Sequence, residues 1–127
     1  MAELHVELVA ADRKVWSGEA SLVVARTSSG EIGVMPGHQP LLGVLASGPV
    51  TIRTTGESGE GTVIAAVHGG FISFAENKLS LLAEIAELSY EIDAERAMRA
   101  LEQAKADQDA AAERRADVRL RAVAVAR

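Results

Sequence analysis

Arginines three residues apart on a helix can grip a phosphate together, and Arg96 and Arg99 have that spacing. Side chains at i and i+3 share a helix face, and each guanidinium offers several N–H donors to oxyanion acceptors. Asp93 precedes Arg96 by three residues and could accept from a base or ribose donor, with Glu87 shortly before the helix to assist. The same residues have a plainer account. Asp93 is a good N-cap, because its carboxylate accepts from free backbone N–H groups, and Glu95 and Arg99 have the spacing of an exposed ion pair that typically contributes under ~0.5 kcal/mol.

The other reactive residue types do not assemble into a catalytic set. His5, His38 and His68 are far apart and lack metal-ligand spacing. Ser17, Ser28, Ser29 and Ser73 have no nucleophile-elbow context. The run Gly56-Glu57-Ser58-Gly59-Glu60-Gly61-Thr62 imitates the glycine spacing of a phosphate loop. It lacks the lysine, carries two acids and precedes a strand, so it reads as a hairpin loop. There is no cysteine, hence no disulfide and no thiolate metal site. The chain by itself is not expected to be an enzyme.

A second informative stretch is residues 30–42, GEIGVMPGHQPLL. Pro36 and Pro40 restrict their own backbones and those of Met35 and Gln39. Gly30, Gly33 and Gly37 supply conformations that other residues reach only with strain. The segment is expected to be a shaped, extended loop between strands, anchored to the core by Leu41 and Leu42. Glu31 and His38 could serve contact with another surface; alternatively they are an exposed acid and a histidine capping a loop carbonyl.

Two kinds of element must position these residues. Up to Leu88, short apolar runs alternate with turn signals at roughly 8–12-residue spacing, which indicates a β-sandwich or barrel. Leu4, Val6 and Leu8 form one period-two face and Ala20, Leu22 and Val24 another, while Val50–Ile52, Thr62–Val67, Gly70–Phe74 and Leu79–Ala83 continue the pattern. A sandwich is favoured, because Leu22–Val24 and Ile64–Val67 look buried on both faces. Gly69 and Gly70 suggest a bulge or close backbone packing. From Asp93 onward there is neither glycine nor proline. Ala94, Ala97, Met98, Leu101 and Ala104 form one helical stripe, Ala112, Ala116, Leu120 and Val123 a second, and Asp107-Gln108-Asp109 breaks them. The expectation is an α+β chain: an N-terminal antiparallel β-sandwich, residues 1–88, then a two-helix αα-hairpin, residues 89–127. Alanine buries little apolar area at ~25 cal/mol per Å², so the hairpin should dock weakly and be able to detach.

Of the 127 residues, 48% are hydrophobic and only four are aromatic, so the core must be mainly aliphatic. Residues 1–88 carry ten acids and five bases, whereas 89–127 carry eight of each. The last fifteen residues hold five arginines, including Arg114, Arg115 and Arg119. An acidic body with a basic tip argues against nucleic-acid binding and suits docking of the tip on an acidic protein surface. No apolar run approaches the ~18 residues a membrane span needs, and the N-terminus lacks signal-peptide features.

Three segments together resemble the epsilon subunit family of F-type ATP synthases. They are Gly30-Glu31-Ile32-Gly33 followed by Pro36-Gly37-His38-Gln39-Pro40-Leu41; Val67-His68-Gly69-Gly70-Phe71 followed by Leu79, Leu81, Leu82 and Glu84; and Ile92-Asp93-Ala94-Glu95-Arg96-Ala97. The resemblance implies a non-catalytic central-stalk subunit on the cytoplasmic side of the cell membrane, attached only through its complex. Its sandwich would couple the gamma subunit to the rotor-ring c subunits, with Glu31 toward the ring and His38 toward gamma. Its hairpin, compact or extended, would inhibit ATP hydrolysis by setting Arg114, Arg115 and Arg119 against the catalytic alpha and beta subunits. No cofactor is required. The third segment matches family members that bind ATP, which implies a weak regulatory site at Glu87, Asp93, Arg96 and Arg99; Gln103 stands where such relatives place a further arginine. The alternative is a free-standing sandwich that binds a ligand or peptide and dimerises through its hairpin.

Overall fold

The structure, a computed structural model, describes residues 3–55 and 61–126. The glycine-rich run around Glu57-Ser58-Gly59, and Arg127, lie outside the described residues. Seven strands come first: β1 Leu4–Ala10, β2 Lys14–Thr27, β3 Gly30–Val34, β4 Leu41–Leu45, β5 Gly48–Thr54, β6 Gly61–Ala75 and β7 Lys78–Leu88. A single 3₁₀ turn, Ser89–Glu91, leads to helices α1 Ala94–Ala106 and α2 Ala110–Ala126. This is the expected β-sandwich followed by two helices. Among the described residues, no helix is long and apolar enough to cross a membrane.

Two long strands knit the sandwich together. β2 pairs with β1 along residues 14–20, then with β5 and β3 along 20–27. β6 pairs with β5 along 61–67 and with β4 along 70–74. One ladder, β1 with β7, is parallel; the other strand pairs are antiparallel. The core between the layers is aliphatic apart from Phe74, with Leu4, Val6, Leu8, Ile52, Ile72 and Leu81 fully enclosed. Alternation in β1 is strict, as its sequence requires.

Several local expectations are corrected. Residues 62–74 form part of one continuous strand and not two. The stretch 30–42 is mostly strand: β3 and β4 leave only residues 35–40 as loop. Leu41 packs against the core, but Leu42 is 80% exposed, because neighbours on a strand face opposite sides. In β2 the pairing register shifts between Ala20 and Leu22, so Val23 and Ala25 enter the core and Leu22 and Val24 do not. A bulge inserts one residue and reverses the alternation beyond it.

The glycine pair in β6 is the tightest point of the sheet. Gly69 and Gly70 have φ of +73° and +131°, which L side chains rarely adopt. A Cβ on Gly70 would meet the Leu82 carbonyl oxygen at 2.0 Å. The register with β7 nevertheless continues through the pair, from His68↔Ile85 to Gly70↔Ala83. The glycines therefore permit close backbone packing and add no bulge residue. Before them Ile64, Ala66 and His68 point away from the main core; after them Phe71 and Ser73 do. The facing parity changes by one residue.

Helix α1 begins as expected: Asp93 caps it, its Oδ1 accepting from the Arg96 N–H at 3.1 Å. Asp109 caps α2 by accepting from the Ala112 N–H at 3.1 Å. Between them Gln108 has φ of +55°, which reverses the chain. α2 buries Ala116, and it also buries Val118 and Ala122, which pack on Ile64 and Ala66 of β6 with Ile92 alongside. It thus carries two apolar faces, against α1 and against the sheet, where the sequence stripe indicated one.

Gly70→Ala is expected to cost about 3 kcal/mol or more, from backbone strain plus overpacking. Gly43→Ala, whose Cβ would make ordinary contact with Ile72 Cγ2 at 3.5 Å, should stay within about 0.5 kcal/mol of the parent. Urea denaturation of both variants checks the contrast.

Candidate functional site

Where the hairpin leaves the sandwich, α1 and the end of β7 form a cleft of about 350 Å³. Glu87, Asp93 and Arg96 line it, with Ala97, Ala100 and Arg119. The fold thus brings together three of the four residues read as a nucleotide site. Arg99 does not line the cleft, because the helix turns its side chain outward. Arg119 enters from α2 and donates through Nε to Glu87 Oε1 at 2.5 Å. The Asp93 carboxylate is already engaged as a helix cap. The cleft therefore holds Arg96 and Arg119 as cations, and Glu87 already balances Arg119.

A second ion pair fixes the linker. Arg13, in the β1–β2 turn, grips Glu91 with both terminal nitrogens, at 3.1 and 2.9 Å. Glu91 Oε1 also accepts from the Leu88 N–H at 2.9 Å. These bonds, Arg13's first, hold the Glu91 carboxyl below the ordinary carboxylate range. Nothing in the sequence joins residues 78 positions apart, so this clamp was not foreseen.

His68 lies beneath α2. Its side chain is 5% exposed and neither ring nitrogen has a hydrogen-bond partner. Glu87 Oε1 is 3.8 Å from Nε2, too far for a hydrogen bond, so it acts only as a nearby charge. Burial, reinforced by the positive charge of Arg119, pushes the His68 imidazole down to about 4, against a smaller opposing pull from Glu87. His5 goes the other way: hydrogen bonds to Glu19 at 2.7 Å and Glu7 at 3.3 Å raise it. His38 Nδ1 bonds the Gln39 carbonyl at 2.7 Å, and its ring meets Phe74 edge-on. The three histidines thus have separate partners. Among the described residues, no three metal-ligating side chains converge.

Outside the hairpin contact, one face of the sandwich is apolar and uncovered. Val44, Phe71 and Leu82 stand opposite one another on β4, β6 and β7. Phe71 is 57% exposed, and Leu42 extends the row along β4. The sequence reading placed Phe71 in the core; the parity change at Gly69-Gly70 turns it outward. The loop carrying His38 runs into β4 beside this face, tied down by the Gly37 N–H donating to Asn77 Oδ1 at 2.7 Å. Glu31 lies exposed toward the other end of β3, near the β2–β3 turn.

Residues 3–89 match the family model described as ATP synthase, Delta/Epsilon chain, beta-sandwich domain. The Streptomyces griseus protein named ATP synthase epsilon chain is 84% identical over 124 residues, covering 98% of each chain. The chain belongs to the ATP synthase epsilon family. A more distant member, from Rhodococcus opacus, is 50% identical over 94% of this chain and 96% of its own length. The fold also matches a chain in the Euglena gracilis mitochondrial ATP synthase, with a TM-score of 0.73 at 24% identity, over 98% of this chain and 79% of that one.

Within this epsilon chain, Arg114 and Arg115 face the pocket between α2 and the sandwich, while Arg119 is held by Glu87. The arginine-rich helix is therefore laid against the sheet in this arrangement and does not project as a free tip. The burial of His68, without a hydrogen-bond partner among the described residues, was not foreseen from the sequence. Its sequence signal was a histidine directly after the apolar run from Val63 to Val67.

The pH dependence follows from His68. An unfolded histidine titrates near 6.5, above the folded value, so the unfolded chain binds the extra proton first. The stabilising effect of keeping His68 neutral is complete above about pH 6.5 and is lost as pH falls toward 4. Between pH 7 and 4.5 the chain should lose about 2 kcal/mol that His68→Leu does not lose. Urea titrations of both proteins at the two pH values test this; parallel losses would contradict it.

Proposed function

We propose that this chain is the non-catalytic central-stalk subunit that couples the gamma subunit to the rotor-ring c subunits of an ATP synthase, with its hairpin acting as a brake on ATP hydrolysis. The observation that carries the reading is the uncovered row Leu42, Val44, Phe71 and Leu82 in an epsilon-family sandwich. A contiguous exposed apolar face marks a protein contact, and gamma is the partner that the family membership supplies. His38 lies in the loop that leads into β4 and packs its ring edge-on against Phe74. Glu31, toward the other end of β3, is free to meet the ring. The chain associates peripherally with the cytoplasmic side of the cell membrane, through these partners.

The brake reading is supported by how the hairpin is held. Its apolar seam on the sheet consists of Ile64, Ala66, Val118 and Ala122, with Ile92 beside them. The partly exposed Arg119–Glu87 pair adds little once solvent screening is allowed for. Release would free Arg119, together with Arg114 and Arg115, for the catalytic alpha and beta subunits. ATP in the cleft at Glu87, Asp93 and Arg96 would favour the docked form, since a ligand stabilises the state that binds it. The site is weak, because Asp93 is occupied as a cap, Arg99 points away and Gln103 supplies no charge.

Two measurements test this. In an ATP hydrolysis assay with the catalytic head and gamma, the full chain should inhibit, and Ala122→Glu should inhibit more strongly by loosening the hairpin. Phe71→Glu should weaken binding to gamma at least tenfold. Binding without inhibition by either form would remove the brake and leave the coupling role; no binding would remove both. In calorimetry with millimolar ATP, saturable heat lost in Arg96→Gln is expected, and no heat would retire the nucleotide site.

A further inference from the structure

We propose that the pocket between His68 and the first turns of α2 binds a small phosphate-class oxyanion that pins the hairpin to the sandwich. The pocket has a volume of about 210 Å³. Ser47, His68, Gly69 and Glu84 line it from the sandwich side, and Ala111, Arg114 and Arg115 from α2. It shares no lining residue with the cleft at Asp93.

Three independent features point to an anion. His68 is enclosed, lines the pocket, and has both ring nitrogens unpartnered. A buried polar side chain is rarely left without a partner, because its lost hydration is otherwise uncompensated. The side chains of Arg114 and Arg115 have no hydrogen bond or ion pair among the described residues, whereas those of Arg119 and Arg121 of the same helix pair with Glu87 and Asp117. The pocket also lies at the N-terminal end of α2, where the helix dipole favours negative charge.

Glu84 selects among anions. Its carboxylate lies across the pocket, within 3.6 Å of where a Gly69 side chain would begin. A carboxylate only accepts, so it fits an anion that still carries a proton. Hydrogen phosphate can donate its O–H to Glu84 while its other oxygens accept from the two arginines and the Ser47 hydroxyl; a His68 ring N–H, enclosed as the chain stands, joins them only as the arginine side chains turn toward the anion. Sulfate has no proton to offer near neutral pH and would leave Glu84 facing like charge. The volume is ample for one phosphate. Because the donors come from both the sheet and α2, occupancy favours the docked hairpin.

The test is isothermal calorimetry of the full chain with inorganic phosphate, sodium sulfate and ATP as separate titrants at pH 7. Saturable phosphate binding with a dissociation constant on the order of 1 mM or tighter is expected, with sulfate at least tenfold weaker. Arg114→Gln and Arg115→Gln should each weaken phosphate binding at least tenfold. Arg121→Gln, whose parent residue pairs with Asp117 outside the pocket, should leave it unchanged. Glu84→Gln should narrow the gap between phosphate and sulfate. Arg96→Gln should spare phosphate, which separates this pocket from the ATP cleft. Circular dichroism shows whether each variant is folded; Arg114 is exposed, so its replacement leaves the fold intact. No saturable heat with phosphate, or undiminished binding in both arginine variants, would overturn the proposal.

Discussion

The backbone approach at Gly70 is the constraint on which the rest of this molecule depends. With the Leu82 carbonyl 2.0 Å from any Cβ, no other residue fits without moving the sheet. The approach lets β6 run from its pairing with β5 to its pairing with β4 without losing register with β7. It also shifts the facing parity by one residue. Upstream, the outward positions are Ile64, Ala66 and His68, which receive α2. Downstream, Phe71 is outward and joins Val44 and Leu82 in the uncovered apolar face. One local packing requirement thus makes two different outward faces out of a single strand, one under α2 and one uncovered.

The main core and the hairpin seam are held by different physics. The main core is large and aliphatic, and it is closed by ladders that join both layers. The hairpin seam is small, alanine-rich and edged by charge. The seam has few members and two of them are alanines, so hydrophobic attraction there is smaller than in the main core. The Arg13–Glu91 pair links the 3₁₀ turn to the β1–β2 turn, an exposed contact that solvent screening keeps weak. His68 beneath α2 adds an enclosed polar group with unused hydrogen-bonding capacity, a cost that the docked state carries.

Much of this was legible in the chain. The strict alternation of Leu4, Val6 and Leu8 specifies a strand with one buried face. The absence of glycine and proline after Asp93, with a cap at Asp93 and a polar break at Asp107-Gln108-Asp109, specifies two helices. The Asp93–Arg96 grouping could be read because residues three apart on a helix must be neighbours. Other features depended on events that a pattern does not record. The register shift in β2 decided between Leu22 and Val23, and the strand start decided which of Leu41 and Leu42 faces out.

Residue order alone determined the element types, their sequence and the family, because those follow from periodicity and from motifs of fixed spacing. Tertiary structure alone decided what meets across long separations: Arg13 with Glu91, Arg119 with Glu87, and His68 with the underside of α2. It also decided that α2 needs two apolar faces, one for its partner helix and one for β6. Local propensity acts over a few residues. Burial and charge pairing are settled only when the folded sheet brings distant segments within a few ångströms, and the functional surfaces of this chain are built from such meetings.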